Sequence, residues 1–571
     1  MRGMYLDSFD REKIYSNAYF DLIIDYSGNK QVLEQHKNDA VHIINFFLAV
    51  IHVPLSTIDE YIISQIGYAV FPNLFGLISD ASLEESGIIK LRNVPGFDLT
   101  GRGVIIGFVD TGIDYTNPIF RNADGTTRIV SIWDQTMNTD QTPKGMAYGT
   151  EYTGEQINAA LQEEDPYRIL PSRDEIGHGT MLAGIAAGNE VPESRFYGVA
   201  PDAEILVVKL KQAKSNLKAL FRIPEDKLSF QENDIMFGYQ YLINTATAMN
   251  KPLVICSAID TSQYAHDGRG TMSGWLSLQA NNTGIAIITA VGNEGDARRH
   301  YYGSIAQDIG KDMVELHVGE GETGFSMEIW GASPNLYTID ITSPSGEYVP
   351  RLNIMLFETR EITFIFEPTI IYLDYTLVEA QSGDQLIILR FSDPSPGIWK
   401  FNIYGKGIHP QVFNIWLPMD DFITRDTYFI KSNPYTTLLS VACSPIPITV
   451  TAYNVEDDSL YLEAGRGYTR IDYIKPDIAA PGVKVLAPSL DQSFGLVSGT
   501  SAAAAHTAGV AAMLFEWGIV NGKYPLMSTQ DMKVFLIRGA RRNIDMEYPN
   551  RDWGYGILDV YNVFDSLRRE L

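Results

Sequence analysis

The stretch Val104-Ile-Ile-Gly-Phe-Val-Asp110-Thr-Gly112 decides the fold. Its apolar residues are nearly continuous, which marks a strand buried on both faces, as in a parallel sheet covered by helices. It ends on a carboxylate and a Thr-Gly turn. Three further runs have the same form, at 204–210, 252–258 and 284–293, and stretches of helical periodicity separate them. Strand and helix in alternation predict an α/β fold built on a doubly wound parallel sheet.

Outward from this core the pattern changes twice. Toward the N-terminus, residues 18–80 read as a small α+β unit, with a strand at 19–26, a helix at 39–53, a short helix at 58–66 and a strand at 68–71. The apolar run 41–55 is shorter than the roughly 20 residues needed to cross a bilayer and reads as an amphipathic core helix. Between 313 and 418 helical periodicity stops. Here Trp399, Phe401 and Ile403 alternate with Lys400 and Asn402, as on a half-buried antiparallel strand. This segment is expected to be an inserted β-sandwich with Trp330 and Trp399 in its core. The α/β pattern resumes near 436 and closes with a helix at 527–538 and an amphipathic stretch at 560–571. The expected units are therefore 1–80, 81–312, 313–418 and 419–571.

Over 571 residues, 70 Asp and Glu face 44 Lys and Arg, a formal net charge of −26. Such a surface repels phosphate backbones and anionic headgroups, so neither nucleic acid nor membrane is an expected partner. Cys256 and Cys443 are the only cysteines, which excludes a disulfide framework and leaves one bridge open. Residues 1–17 are dominated by polar and charged types and lack the apolar segment of a secretory signal, so Sec export is not expected. Acidic clusters at Asp457-Asp458 and Glu163-Glu164-Asp165 do not form a twelve-residue calcium loop, and metal binding is left open.

Three segments carry chemistry together. Asp110 ends the buried strand. Gly177-His178-Gly179-Thr180 opens a helix with small neighbours that permit close approach. Ser498-Gly499-Thr500-Ser501 leads into an alanine-rich helix, 502–514, whose N-terminus offers a hydroxyl and backbone N–H groups to an anion. A serine hydroxyl needs a neighbouring base to become nucleophilic, and the base needs a partner that fixes its tautomer. Ser501, His178 and Asp110 can fill these roles in one hydrogen-bonded row.

The segments Asp110-Thr-Gly-Ile-Asp114, Gly177-His-Gly-Thr-Met-Leu-Ala-Gly184 and Gly499-Thr-Ser-Ala-Ala-Ala-Ala-His506 resemble the signature motifs of the subtilisin-like serine proteases. Gly198-Val-Ala-Pro-Asp202, Ala290-Val-Gly-Asn293-Glu-Gly295 and Lys475-Pro-Asp-Ile-Ala-Ala-Pro-Gly482 resemble further family motifs, in family order. The resemblance implies an acyl-enzyme peptidase with Asp110, His178 and Ser501 as catalytic residues. It also implies that Asn293 and the Ser501 amide form the oxyanion hole, and that Ala258, Ile259, Asp260 and Gly292 line the substrate cleft. Asp260 stands where the family usually has Gly, and implies a charge beside the cleft that favours a basic substrate residue. Ala505 replaces a family proline, and His506 is expected to be a packing residue.

By the same resemblance the N-terminal unit is a ferredoxin-like propeptide, the chain's first substrate, with its junction within residues 73–80. The inserted sandwich is expected to be jelly-roll-like. Together with the missing secretion signal, the Ala-Ala-Ala-His continuation and Asp552-Trp-Gly-Tyr-Gly556, it resembles the Csp-type germination proteases of clostridial spores. That likeness implies a spore-associated protein, made in the cytoplasm of a Gram-positive bacterium, that cuts a cortex-lytic hydrolase zymogen. The family uses no organic cofactor, and several members use calcium. Csp-type chains also include pseudoproteases, so the alternative is a non-enzymatic binding or signalling protein of the same fold.

Overall fold

A computed structural model of the chain describes residues 8–36, 39–78, 99–306, 308–352 and 358–569. Its centre is a nine-stranded sheet. Seven strands run parallel, six in the order Ile448–Asn454, Ile285–Ala290, Leu253–Ser257, Ile105–Asp110, Glu204–Lys209 and Ile129–Asp134, with Ile478–Pro481 also pairing the first. The chain lays strands on one side of Ile105–Asp110 and then on the other. The carboxyl end of that strand is therefore a topological switch point, where open α/β sheets bind ligands.

The double burial predicted from the Val/Ile runs is visible residue by residue. Ile106 and Phe108 enter one hydrophobic cluster, which contains residues of the helices His178–Ala187 and Thr500–Phe515. Ile105 and Val109 enter the other, with residues of the helices Glu232–Ala248 and Thr271–Ala280. Close packing on this second face depends on glycine: a Cβ on Gly107 would lie 2.7 Å from Leu242, and one on Gly238 would lie 2.7 Å from Val109. Thr500–Val520 is long and apolar enough to cross a membrane, but it lies inside the fold, 78% buried. Cys256 and Cys443 are free and buried.

The insert is two antiparallel sheets of six and five strands, reaching from His300–Ile305 to Tyr428–Phe429. It is wider than 313–418 at both ends, because His300–Ile305 pairs with Gln411–Trp416 along its whole length and Tyr428–Phe429 pairs with Lys311–Val318. Trp399, Phe401 and Ile403 lie in its core. Trp330 does not. It packs with the cluster of the parallel-sheet domain, against the rings of Tyr68 and Tyr264.

The N-terminal unit corrects two expectations. Residues 39–53 form no helix. Ala40–Ile43 and Leu48–Pro54 are antiparallel strands, and Tyr19–Asp25 pairs with the second. Val41, Ile43, Val50, Ile51 and Val53 favour a pleated strand, and the Asn45 side chain makes the turn by accepting from the N–H groups of Phe47 and Leu48. Tyr68–Val70 is a 3-10 turn rather than a strand. The chain then leaves this sheet, and Leu74–Leu77 pairs with strands of the parallel-sheet domain instead. The three-strand order is that of a ferredoxin-like unit without its fourth strand. Of the expected junction, Ser79 and Asp80 lie outside the described residues.

Candidate active site

Asp110 occupies the carboxyl end of the central strand, 1% exposed. His178 is the first residue of its helix, and its Nδ1 lies 2.8 and 3.0 Å from the two Asp110 carboxylate oxygens. A carboxylate on Nδ1 makes that nitrogen the donor and leaves the lone pair on Nε2, the tautomer a general base requires. The approach is possible because residue 179 is glycine: a Cβ there would lie 2.1 Å from the Gly112 carbonyl oxygen. One further carboxylate fixes both loops. Asp174 accepts from the N–H groups of Gly177 and Thr180, at 2.7 and 3.0 Å, and from the hydroxyl of Thr111, at 2.9 Å. Burial by itself would lower the His178 pKa, but the negative charges of Asp110 and Asp174 and the Asp110 hydrogen bond hold it above the ordinary imidazole value.

Ser501 is the second residue of Thr500–Phe515, fully buried, on a helix that packs against the one carrying His178. The expected row closes between Asp110 and His178 but not between His178 and Ser501. His178 Nε2 and Ser501 Oγ are each buried without a protein hydrogen-bond partner. Buried polar atoms are rarely left so, and both are atoms whose partner in a peptidase changes during turnover.

Asn293 follows the Ile285–Ala290 strand by three residues. Its Oδ1 accepts from the Thr500 N–H at 3.2 Å and from the Thr500 hydroxyl at 3.0 Å. A backbone N–H can only donate, so the oxygen must be the amide atom facing Thr500, and the NH2 is left for the cleft. Gly292 before it has φ +94°, and a Cβ there would lie 2.4 Å from Leu439.

The expected substrate cleft along Ile259–Asp260 is occupied by the chain's own N-terminal tail. Leu74–Leu77 forms a strand between Ile259–Asp260 and Phe230–Gln231, antiparallel to both, with Leu77 opposite Ile259 and Gly76 opposite Asp260. Leu77, Ile78 and Asn293 border one cavity of about 300 Å³. Met419 and Phe422, from the end of the insert, cover Gly76 so closely that a Cβ would meet them at 3.1 and 3.3 Å. The tail is also held by Glu232, which bonds Asn73, and by Gln263, which accepts from the Leu74 N–H at 2.7 Å.

Asp260 departs from its expectation. Its backbone pairs with the tail, but its carboxylate points away from the cleft and accepts from the N–H groups of Thr261, Val441 and Ala442. Burial raises its pKa to about 7 against those three donors. It anchors the Val441–Cys443 turn and offers no charge to a substrate. Ala258 is fully buried. His506 is buried, and burial lowers its pKa to about 4.

Sequence reasoning misses Asp174, Thr500, Glu232 and Gln263. Asp174 carries a local signal, an acidic residue just before a helix start. The roles of Glu232 and Gln263 depend on a tail 159 and 189 residues upstream, which no local pattern predicts. Among the described residues no cluster of three or more His, Cys, Asp or Glu is arranged to hold a metal.

Comparison with known proteins agrees with this geometry. The Subtilase family profile (Peptidase S8) matches residues 101–313 and 431–556. The chain is similar to the solved CspB protease of Clostridium perfringens, at 29% identity and a TM-score of 0.74, over 83% of this chain and 95% of that one. The C5a peptidase of Streptococcus pyogenes serotype M1 is 24% identical over 72% of this chain and 34% of its own length. The subtilisin-like protease SBT4.7 of Arabidopsis thaliana is 24% identical over 78% of this chain and 59% of its own. The chain thus spans about a third to three-fifths of the length of these curated relatives. The family profile covers more than half of the chain and breaks only where the sandwich is inserted, and this chain belongs to the subtilase family of serine peptidases.

Proposed function

We propose that this peptidase works through Ser501, His178 and Asp110, that its first substrate is its own N-terminal unit, and that the cut falls just past Ile78. His178 Nε2 takes the Ser501 proton as Oγ attacks the scissile carbonyl. Asp110 holds the ring and balances the imidazolium charge. The oxyanion that forms is stabilised by the Asn293 NH2 and the Ser501 N–H, which act more strongly on that charge than on the neutral carbonyl. His178 then gives the proton to the leaving amine, and water repeats the cycle on the acyl-enzyme.

The observation that carries this reading is the tail strand Leu74–Leu77, seated along Ile259–Asp260 and followed by Ile78 beside Asn293. A strand so placed delivers the next peptide bonds to the nucleophile. Wild-type chain should migrate as two fragments whose masses sum to 63.7 kDa, and Ser501→Ala as one. A wild-type chain that stays intact would overturn the proposal.

The physiological substrate we propose is the precursor of a spore-cortex hydrolase, cut once within an extended segment. The Csp-type sequence features and the likeness to CspB support it. The cover over Gly76 favours few substrates over many. A second reading, in which the chain cuts itself once and then stays blocked, draws on the grip on the N-terminal unit: Asp21 on Lys214, Glu60 on Arg390 and Tyr68 on Glu328, each at 2.6 Å. Purified matured protein assayed with the zymogen separates the two, since only the first reading yields a cut product.

A further inference from the structure

Glu232 opens the helix Glu232–Ala248 and is 2% exposed, yet its side chain serves the tail rather than the core. One carboxylate oxygen is fixed by the Met272 N–H at 3.1 Å, at the start of the helix Thr271–Ala280. The other accepts from both the backbone N–H and the side-chain NH2 of Asn73, at 3.0 and 3.1 Å. The Glu232 N–H donates in turn to the Asn73 carbonyl at 3.0 Å. One residue of the tail is thus bound at its N–H, its carbonyl and its side chain by a single residue of the catalytic domain. Gln263 continues the grip on the next N–H.

Strand pairing in a peptidase cleft is blind to side chains, because it uses only the backbone. The bond to the Asn73 NH2 is different. It requires a donor, and an aspartate in the same place would set two carboxylates against each other in a site closed to water. Binding sites that hydrogen-bond a buried polar group reject analogues lacking it far more strongly than apolar pockets reject a missing methylene.

Resting on the peptidase reading above, we infer that Glu232 is a specificity-determining residue that selects asparagine in the substrate at the position Asn73 occupies in the tail, upstream of the cut. A substrate would then be a protein presenting asparagine and two apolar residues ahead of a glycine in an extended segment. The Tyr68 hydroxyl, which reaches the Asn73 side-chain oxygen at 3.3 Å, belongs to the N-terminal unit and would not come with a substrate in trans.

The test uses the full-length chain and a quenched fluorogenic peptide with the sequence of residues 71–84. In the wild type, Asn→Asp at the Asn73 position should lower kcat/KM at least tenfold, and Asn→Ala less. Glu232→Gln, whose amide can donate to a carboxylate, should reduce the Asp penalty to below threefold, although it slows cleavage of the Asn peptide. In cis, self-processing of Asn73→Asp should be slow and that of the Asn73→Asp, Glu232→Gln double variant faster. A merely structural Glu232 would slow every peptide equally and leave the Asn-to-Asp ratio unchanged, and that result overturns the inference alone. No cleavage of any peptide, with a wild-type chain that never processes itself, overturns the peptidase reading and this inference with it.

Discussion

Among the described residues two fully buried carboxylate–imidazole pairs meet, and only one of them belongs to the proposed active site. Asp110 and His178 meet at 2.8 Å at the end of the central strand. Asp21 and His52 meet at 2.6 Å in the N-terminal unit, and all four side chains are nearly inaccessible. The difference lies in the far nitrogen. His52 Nε2 is bonded to His42 Nδ1 at 2.8 Å, and Asp21 also accepts from Lys214 across the interface at 2.6 Å. Both nitrogens of that imidazole are engaged within the N-terminal unit, and the carboxylate ties the unit to the catalytic domain through Lys214 and Gln231. His178 Nε2 has no protein partner, so its basicity remains available. An Asp–His pair becomes catalytic through what its second nitrogen is left free to accept.

The comparison breaks most severely at Asp110. Asp110→Asn offers an amide to Nδ1, favours the wrong tautomer and should lower kcat by about 10⁴ while leaving the fold intact, as measured by peptide hydrolysis and circular dichroism. Asn293→Ala, which touches neither pair, should cost about 10²–10³ in kcat with little change in KM. Asp21→Asn should do the reverse. It strands the buried Lys214 charge and should destabilise docking of the N-terminal unit by about 3–5 kcal/mol, read by denaturant unfolding in a Ser501→Ala background, with kcat of matured enzyme unchanged.

The smallest effect is a divergence with pH. The raised His178 pKa puts the acid limb of kcat/KM above the ordinary imidazole value of 6.5, and activity falls as pH drops through it, because protonated His178 cannot accept the Ser501 proton. His42 is shifted the other way. Burial and the neighbouring His52 lower its pKa to about 3, so the folded state keeps it neutral while the unfolded chain protonates near 6.5. Its contribution to stability is complete above that value and is lost progressively as pH falls toward about 3. His42→Gln should flatten the acid dependence of unfolding and leave the activity profile in place. A shift of both curves would merge the two pairs into one electrostatic system.

The central strands and the three motif segments are legible in the sequence because burial on both sheet faces leaves almost no polar residue between Val104 and Val109. The 40–54 hairpin is not. Its turn depends on the Asn45 side chain, and its buried polar residues, His42 and His52, mimic the polar positions of an amphipathic helix. Asp260 misleads for a geometric reason: neighbouring residues of a strand point to opposite faces, so a backbone in the cleft can carry a side chain aimed into the core. The Asn293 orientation depends on Thr500, and the Glu232 grip depends on the tail. Both are contacts between distant stretches, which composition and periodicity do not encode.

The position of the sandwich within the catalytic domain also sets a timetable for synthesis. The base precedes it and the hydroxyl follows it, about 320 residues later, so a ribosome adding roughly 10 residues per second needs on the order of half a minute to pass from one to the other. Throughout that interval the nascent polypeptide already contains the strand Leu74–Leu77 and still lacks Ser501. Translation thus completes the proposed plug well before the proposed nucleophile.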